Sequence, residues 1–344
     1  MLKARIALIA AAVATLAAFS AAADDDAALI HFDATTDSRE YCRMVLNALT
    51  REDFGILEAT AARGRSLENR FPGSKTELQV FYQSFVKDSC GQRYVGLTEE
   101  VGKARIALAQ RWREEMPDSL TAKVASARLW QQYAWVGRGG GFANEVSPAE
   151  WETFSDRLKQ SADLMRTVDP DRDPEAYLLL LNLSRDFSLP LPQIDAIFQR
   201  AHQRFPTYLA YYADYASLLL PEWFGQPGDL ADYMKSLLGD PGGDLGAIAY
   251  ARAAERLAWD MGSSTIYRDA GMTWDDVRHG FALRESRDGL DKSGWITLCY
   301  YAVMAGDRDA ARAAYSHVSE IDEWPVGGTQ QFFLEVLPWI MARD

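Results

Sequence analysis

The segment from residue 117 to residue 166 constrains the fold more than any other part of this 344-residue chain. It contains the aromatic-rich run Leu129–Trp135 and then a glycine cluster over residues 137–141. Next comes Ser147-Pro148-Ala149-Glu150, in which serine can cap a helix, proline fits its first position and glutamate can bond back to the cap. This order predicts a helix, a glycine-rich loop and a second helix.

The rest of the chain repeats this alternation of helical pattern and break. Apolar residues recur at three- and four-residue spacing, as at Tyr41, Val45, Ala48 and Leu49. Alternating apolar and polar runs rich in β-branched residues are absent. We therefore predict an all-α fold of about fifteen helices with no significant sheet. The helices are expected to form antiparallel pairs in an α-solenoid-like, tetratricopeptide-like array, and an irregular all-α domain is the alternative.

The first 23 residues have the pattern of a secretory signal peptide. Lys3 and Arg5 precede an uncharged apolar run over residues 6–19, and Ala21-Ala22-Ala23 offers a small-residue cleavage site. An uncleaved anchor is the alternative, although the apolar run is short for a membrane span. We predict a periplasmic or secreted bacterial protein with a signal peptide at 1–23. A flexible segment at 24–37 and a single elongated helical-repeat-like domain at 38–344 complete the predicted organisation.

The charge of the chain restricts its partners. The formal net charge of −13 becomes −15 once Lys3 and Arg5 leave with the signal peptide. This negative net charge argues against binding to nucleic acid, which requires a positive patch on the protein. No second apolar segment approaches membrane length, so no membrane span is expected after signal removal.

The three cysteines are expected to have structural roles. In an oxidising compartment an even subset of cysteines can pair, and Cys42 and Cys90 are the preferred couple because both lie in the N-terminal third. Cys299 lies on an apolar helical stripe and is expected to be a buried free thiol. No Cys or His spacing typical of a zinc site is present. We expect no metal, no cofactor and no catalytic residue.

The first candidate binding site surrounds the glycine cluster. Arg138 offers a planar fork of donors for a carboxylate or phosphate, and Trp135 adds a stacking face. Gly139 and Gly141 allow a ligand to approach the backbone closely. The alternative is that Arg138 caps helix carbonyls and braces the loop.

The second candidate site is an aromatic helix and the turn that follows it. Tyr208, Tyr211, Tyr212 and Tyr215 are spaced so that they could line a groove for a peptide or glycan, with Trp223 in the turn. The same spacing is also typical of a helix that faces the core. Tyr212 and Trp223 are the residues that we select as candidates here.

Several motifs resemble those of a bacterial protein family. The motif residues are Pro117, Ser119, Ala122, Ala134, Trp135, Arg138, Gly139, Gly141, Ala143, Trp151, Phe154, Arg157, Leu158, Tyr208, Tyr211, Leu220, Pro221, Trp223, Gly225, Ala305, Gly306, Asp307, Ala310 and Ala311. Over about residues 40–325 the chain resembles the domain-of-unknown-function family number four thousand and thirty-four. The resemblance implies a secreted, helical, tetratricopeptide-like domain and supplies no catalytic residue. The chain departs from the family around Trp223, where Glu222 and Phe224 replace an expected basic residue and glycine.

These observations favour an interaction protein over an enzyme. We predict an exported helical scaffold that binds a protein, a peptide or an envelope polymer, because stacked helices create extended surfaces. The alternative is a carboxylate-based hydrolase that acts on a glycan or peptide. Two neighbouring carboxyl groups in a cleft, one with a raised pKa, would favour that alternative. A purely structural domain is a third hypothesis.

Overall fold

The structure is a computed structural model, which describes residues 29–33, 35–87, 90, 96–261, 266–318 and 329–342. The predicted signal peptide at 1–23 lies outside the described residues, as does part of the segment predicted to be flexible at 24–37. Within the described part of that segment, Ile30 is buried and the Phe32 ring packs edge-on against Tyr41 and Phe71.

The described residues form sixteen α-helical segments. The helices are α1 (Ser38–Thr50), α2 (Phe54–Gly64), α3 (Glu77–Ser84), α4 (Glu99–Glu115), α5 (Leu120–Arg138), α6 (Pro148–Met165), α7 (Pro174–Asp186), α8 (Leu191–Arg204), α9 (Ala210–Leu218), α10 (Asp229–Leu237), α11 (Gly243–Met261), α12 (Ile266–Asp269), α13 (Trp274–Asp288), α14 (Lys292–Ala305), α15 (Arg308–Tyr315) and α16 (Thr329–Met341). A 3₁₀ turn precedes α7, and a π-helical turn at Leu238–Gly242 follows α10.

Two strands of two residues each are the only sheet in the described part of the chain. Strand β1 (Arg70–Phe71) pairs antiparallel with β2 (Lys75–Thr76). The all-α prediction is therefore confirmed. The Pro-Gly-Ser sequence between the strands makes the reversal, with Gly73 at φ +84°.

Side-chain caps define where many helices begin. The predicted capping box at α6 is present: Ser147 accepts from the backbone N–H of Glu150, and the Glu150 carboxylate accepts from the N–H of Ser147. Asp173 caps α7 by accepting from the backbone N–H of Glu175, and Thr273 caps α13 by accepting from the backbone N–H of Asp276. Each cap satisfies backbone donors that have no partner inside their own helix.

The helices enclose two large hydrophobic clusters. The first is built mainly from α1 to α7 and contains Trp112, whose ring stacks on Phe54 at 5.7 Å. The second is built mainly from α7 to α14 and is rich in buried tyrosines. Leu67 and Leu180 pack against both clusters. The two clusters are therefore continuous through the middle of the chain.

The cysteines occupy the states predicted from the sequence. Cys42 and Cys90 form a disulfide with a Cα–Cα distance of 5.7 Å. Cys299 is a buried free thiol, and burial raises its pKa to about 12.

The short hairpin makes hydrogen bonds to residues 211 or more positions away in the described chain. The N–H of Gly73 donates to the carbonyl of Gly289 at 2.9 Å, and Lys75 pairs with Asp291 at 3.0 Å across 216 residues of sequence. The buried Arg284 donates to the Gly73 carbonyl at 3.1 Å. A strictly nearest-neighbour array lacks such contacts, and the solenoid arrangement stays a prediction.

None of the helices in the described residues is long and apolar enough to cross a membrane.

Candidate functional site

Five side chains from four segments alternate as aromatic ring and guanidinium along one edge of the molecule. In spatial order they are Trp151, Arg138, Trp135, Arg185 and Trp223, which we name the Trp–Arg ladder. The Arg138 guanidinium carbon lies 5.1 Å from the Trp151 ring centroid and 5.2 Å from that of Trp135. Arg185 lies 5.2 Å from Trp135 and 5.4 Å from Trp223. These distances are within cation–π range.

Helix ends bring the ladder together. Trp135 and Arg138 share the last turn of α5, Trp151 lies in the first turn of α6, and Arg185 lies in the last turn of α7. Trp223 belongs to the turn after α9. Four of the five side chains therefore come from helices, which position side chains more precisely than loops do.

A buried carboxylate supports the ladder from the protein interior. The Asp186 side chain is completely buried and pairs with Arg185 at 2.8 Å. It also accepts hydrogen bonds from the indole N–H of Trp135 at 3.2 Å and from the amide of Gln131 at 2.6 Å. Asp186 therefore fixes both a ring and a guanidinium of the ladder in position.

The glycine-rich loop is attached to the ladder through Arg138. Its guanidinium donates to the carbonyls of Gly139 at 3.3 Å and Gly141 at 3.0 Å. Gly139 ends α5 with φ +76°, a conformation that favours glycine. The bracing role considered as an alternative for Arg138 is thus present. Among the described residues, Arg138 has no carboxylate as an ion-pair partner.

Two rings of the ladder are exposed, and two exposed phenylalanines follow ladder segments in the sequence. Trp151 and Trp223 are 36% and 42% exposed. Phe142, beside Gly141, is 80% exposed, and Phe187, beside Asp186, is 44% exposed. These four residues are the only large aromatic side chains counted as exposed in the described part of the chain. Such a concentration of exposed rings is typical of an interaction surface.

Tyr212 lies elsewhere, in a cleft between α8, α9 and α10. Its side chain is buried, and its hydroxyl donates to the Pro206 carbonyl at 2.9 Å. The Nδ1 atom of His202 lies 2.7 Å from the Tyr212 hydroxyl oxygen. The structure therefore joins Trp135, Arg138, Gly139, Gly141 and Trp223 in one region and separates Tyr212 from them.

The cleft beside Tyr212 has a volume of about 460 Å³. Four carboxylates line it: Asp195, Asp229, Asp232 and Asp240. We name it the acidic cleft. No group of three His, Cys, Asp or Glu side chains that could hold a metal ion occurs among the described residues, so these carboxylates surround the cleft without converging on a point.

Carboxyl groups with raised pKa values occur in the core. Burial raises the pKa of Glu175 to about 7 and also raises that of Asp173. Both side chains are completely buried. Glu175 pairs with Arg128, and Asp173 pairs with Arg65 at 2.8 Å. This geometry gives neither carboxyl a surface from which it can reach a substrate.

Sequence reasoning missed Arg185, Asp186 and the site role of Trp151. In the sequence analysis Trp151 appears only among the residues of the family resemblance, and Arg185 has no glycine cluster beside it to mark it. Its relation to Trp135 and Trp223 depends on the packing of α5 against α7, which local sequence does not encode.

Comparisons with known proteins give no match: no family model, no curated protein and no solved structure matches the chain. Membership of the family named above stays a prediction.

Proposed function

We propose that this protein is an exported helical scaffold that captures a protein or peptide partner, with the Trp–Arg ladder as its contact surface. The observation that carries the proposal is the series of three indole rings with a guanidinium group between each neighbouring pair, whose two outer rings are exposed. Tryptophan and arginine are the residues most enriched among the energetically dominant contacts of protein interfaces.

The ladder combines two kinds of recognition. The exposed rings of Trp151 and Trp223, together with the exposed Phe142 and Phe187, offer stacking surfaces for apolar or proline side chains. Arg138 offers donors to a partner's carboxylate, because among the described residues its guanidinium donates hydrogen bonds only to two loop carbonyls. A segment with apolar residues next to an acidic residue matches both features.

Two observations support export of the scaffold. The disulfide between Cys42 and Cys90 is of a kind that persists in oxidising compartments and is rare in a reducing cytosol. The N-terminal sequence has the charged, apolar and small-residue regions of a signal peptide. Together they favour the periplasm or the exterior of a bacterial cell.

The hydrolase alternative receives no comparable support. The carboxyl groups whose pKa values are raised, Asp173 and Glu175, are buried and paired with arginines. A general acid must lie within hydrogen-bond reach of its substrate. The interaction hypothesis therefore explains more of the surface than the hydrolase hypothesis does.

The proposal is tested by crosslinking pull-down from a cell-envelope extract. The full chain is compared with a Trp151→Ala/Trp223→Ala double variant and with Leu29→Ala, which removes an exposed apolar side chain outside the ladder. We expect the double variant to lose at least about 90% of the specifically captured protein, since interface tryptophans often contribute 2 kcal/mol or more, and the Leu29 variant to retain it. Equal capture by the double variant, with its helical content intact, would refute the proposal.

A further inference from the structure

The acidic cleft has the features of a small-ligand site that is separate from the Trp–Arg ladder. We propose that it binds an aliphatic di- or polyamine, with the ammonium groups against the ring of carboxylates and the methylene chain against the aromatic floor. The proposal rests on a preformed volume, the chemistry of its floor and the arrangement of its charges.

The volume suits a small molecule. About 460 Å³ falls within the roughly 300–1,000 Å³ that ligand pockets in proteins usually have. Helices α8, α9 and α10 form its walls, so the cleft has a fixed shape. Leu191, Leu219 and Leu237 add apolar surface to its lining.

The floor consists of packed aromatic rings. Phe198 stacks on Tyr215 with ring centroids 4.1 Å apart, and Tyr233 packs edge-on against Tyr215 at 4.9 Å. The hydroxyl of Tyr233 donates to the carbonyl of Tyr212 at 2.9 Å, and that of Tyr215 donates to Asp195. Because these hydroxyls are bonded within the protein, the rings offer mainly their π-electrons to a ligand. Such rings attract ammonium groups.

The charges of the lining are strongly one-sided. Four of the lining side chains are aspartates, and His202 is the only lining residue in the described chain that can carry a positive charge. His202 Nε2 lies 3.1 Å from Asp240, whose side chain is 78% exposed. Asp232 is exposed and so adds charge at the mouth of the cleft. A cation is therefore attracted, and an anion is repelled.

The arrangement distinguishes an amine from a metal ion. A divalent metal requires several oxygen ligands that converge at about 2.0–2.6 Å. No such convergent group exists among the described residues. Carboxylates distributed around an apolar floor instead match a ligand whose charges are separated by methylene groups, as they are in a polyamine.

Isothermal titration calorimetry with the purified full chain tests the proposal. The probes are spermidine, 1,4-diaminobutane, the uncharged 1,4-butanediol and Mg²⁺. We expect spermidine to bind more tightly than the diamine, and the diol to give no heat of binding. Mg²⁺ at ten times the spermidine concentration should not displace the polyamine.

Charge variants locate the binding. Asp232→Asn and Asp240→Asn should each weaken spermidine binding about fivefold, and Asp156→Asn, an exposed carboxylate on α6, should leave it unchanged. Gln199→Lys places a positive charge in the lining and should weaken binding more than either aspartate variant. Gln193→Lys on the same helix, outside the lining, is its matched control.

The outcomes separate this proposal from the proposed partner capture. Trp151→Ala/Trp223→Ala should bind spermidine as the unmodified chain does, and Gln199→Lys should capture the protein partner normally. Absence of spermidine binding, equal binding by the cleft variants, or displacement by Mg²⁺ would each overturn the polyamine assignment and leave the ladder proposal intact.

Discussion

The Trp–Arg ladder and the acidic cleft both combine aromatic rings with charge, but they place the two in opposite ways. In the ladder the rings are partly exposed and the cations lie between them, along a surface. In the cleft the rings are buried as a floor and the anions lie towards the solvent. The first arrangement can contact a large partner, and the second can enclose only a small one.

The two regions also differ in what holds their rings. The ladder uses tryptophans and depends on a single buried carboxylate, Asp186. The cleft uses tyrosines, and each hydroxyl is bonded to its own acceptor: Pro206 for Tyr212, Asp195 for Tyr215 and the Tyr212 carbonyl for Tyr233. A substitution at Asp186 should therefore disturb several ladder side chains at once, whereas the loss of one acceptor in the cleft should disturb only one tyrosine.

The largest difference is expected at alkaline pH. Burial raises the pKa of Tyr212, Tyr215 and Tyr233 above the ordinary value of 10.0. Their neutral forms are favoured in the folded state, so the stabilisation is complete below pH 10 and declines as the pH rises towards the folded-state pKa values. Ionisation of each of these three tyrosines should lower the free energy of unfolding by about 1.4 kcal/mol per pH unit between pH 10 and its folded-state pKa. Urea unfolding at pH 9, 10 and 11 measures this decline.

The ladder contains no tyrosine and contributes nothing to that decline. Tyr215→Phe should reduce the slope of the free energy of unfolding against pH by the contribution of one tyrosine. Trp223→Phe should leave that slope unchanged. Ionisation of the cleft tyrosines near pH 10 in a folded chain, followed by absorbance at 295 nm, would contradict the comparison.

Arg185→Ala should have the next largest effect, because it removes the ion-pair partner of a completely buried carboxylate. We expect a loss of about 3 kcal/mol in the free energy of unfolding, measured by urea denaturation at neutral pH. Adding Asp186→Asn removes the unpaired charge and should recover part of the loss. If Arg185→Ala alone lowers the free energy of unfolding by less than about 1 kcal/mol, then packing, and not Asp186, holds the ladder in position.

Arg138→Ala should affect partner capture more than folding. Its guanidinium contacts two rings and has no carboxylate partner in the described chain. We expect about tenfold weaker capture and a loss of at most about 1 kcal/mol in the free energy of unfolding. Quantitative pull-down and thermal melting of the same preparation measure both. Loss of binding only in proportion to loss of folded protein would leave Arg138 with the bracing role alone.

Two adjacent glycines give the smallest and most local comparison. Gly139 has φ +76°, whereas Gly140 does not have a positive φ, and an added Cβ would meet nothing within 4 Å at either position. Gly139→Ala should therefore destabilise the protein by about 1 kcal/mol, and Gly140→Ala should be neutral or slightly stabilising. Equal melting temperatures for the two variants would show that the loop relaxes without cost.

Sequence patterns predicted the helices well where a cap marks the beginning. Ser147-Pro148 begins a helix in the structure as expected. Thr50 and Asp53 show where such a pattern fails: their spacing predicts an N-cap at Thr50, but α1 continues through Thr50, whose hydroxyl donates to the Leu46 carbonyl at 2.8 Å, and Asp53 occupies the N-cap position of α2. Thr50 and Asp53 have the spacing of a capping pair, but a helix that is still continuing has no exposed donors to cap.

The remaining features depend on contacts between distant segments. Strands β1 and β2 have two residues each, too few for an alternating pattern to appear in the sequence. Arg185 joins the ladder only because α7 places it between Trp135 and Trp223. Local sequence therefore predicted the helices and three of the five ladder residues, Trp135, Arg138 and Trp223, whereas the continuity of the ladder comes from tertiary packing.

The contact between the hairpin and the segment near Gly289 limits how early in synthesis the protein can complete its folding. Lys75 leaves the ribosome 216 residues before Asp291. The hairpin's contacts with Arg284, Gly289 and Asp291 can form only after most of the chain has been synthesised. A polypeptide that stops short of α13 keeps the packing of Phe71 against Phe32 and Tyr41 but lacks every one of those three distant partners.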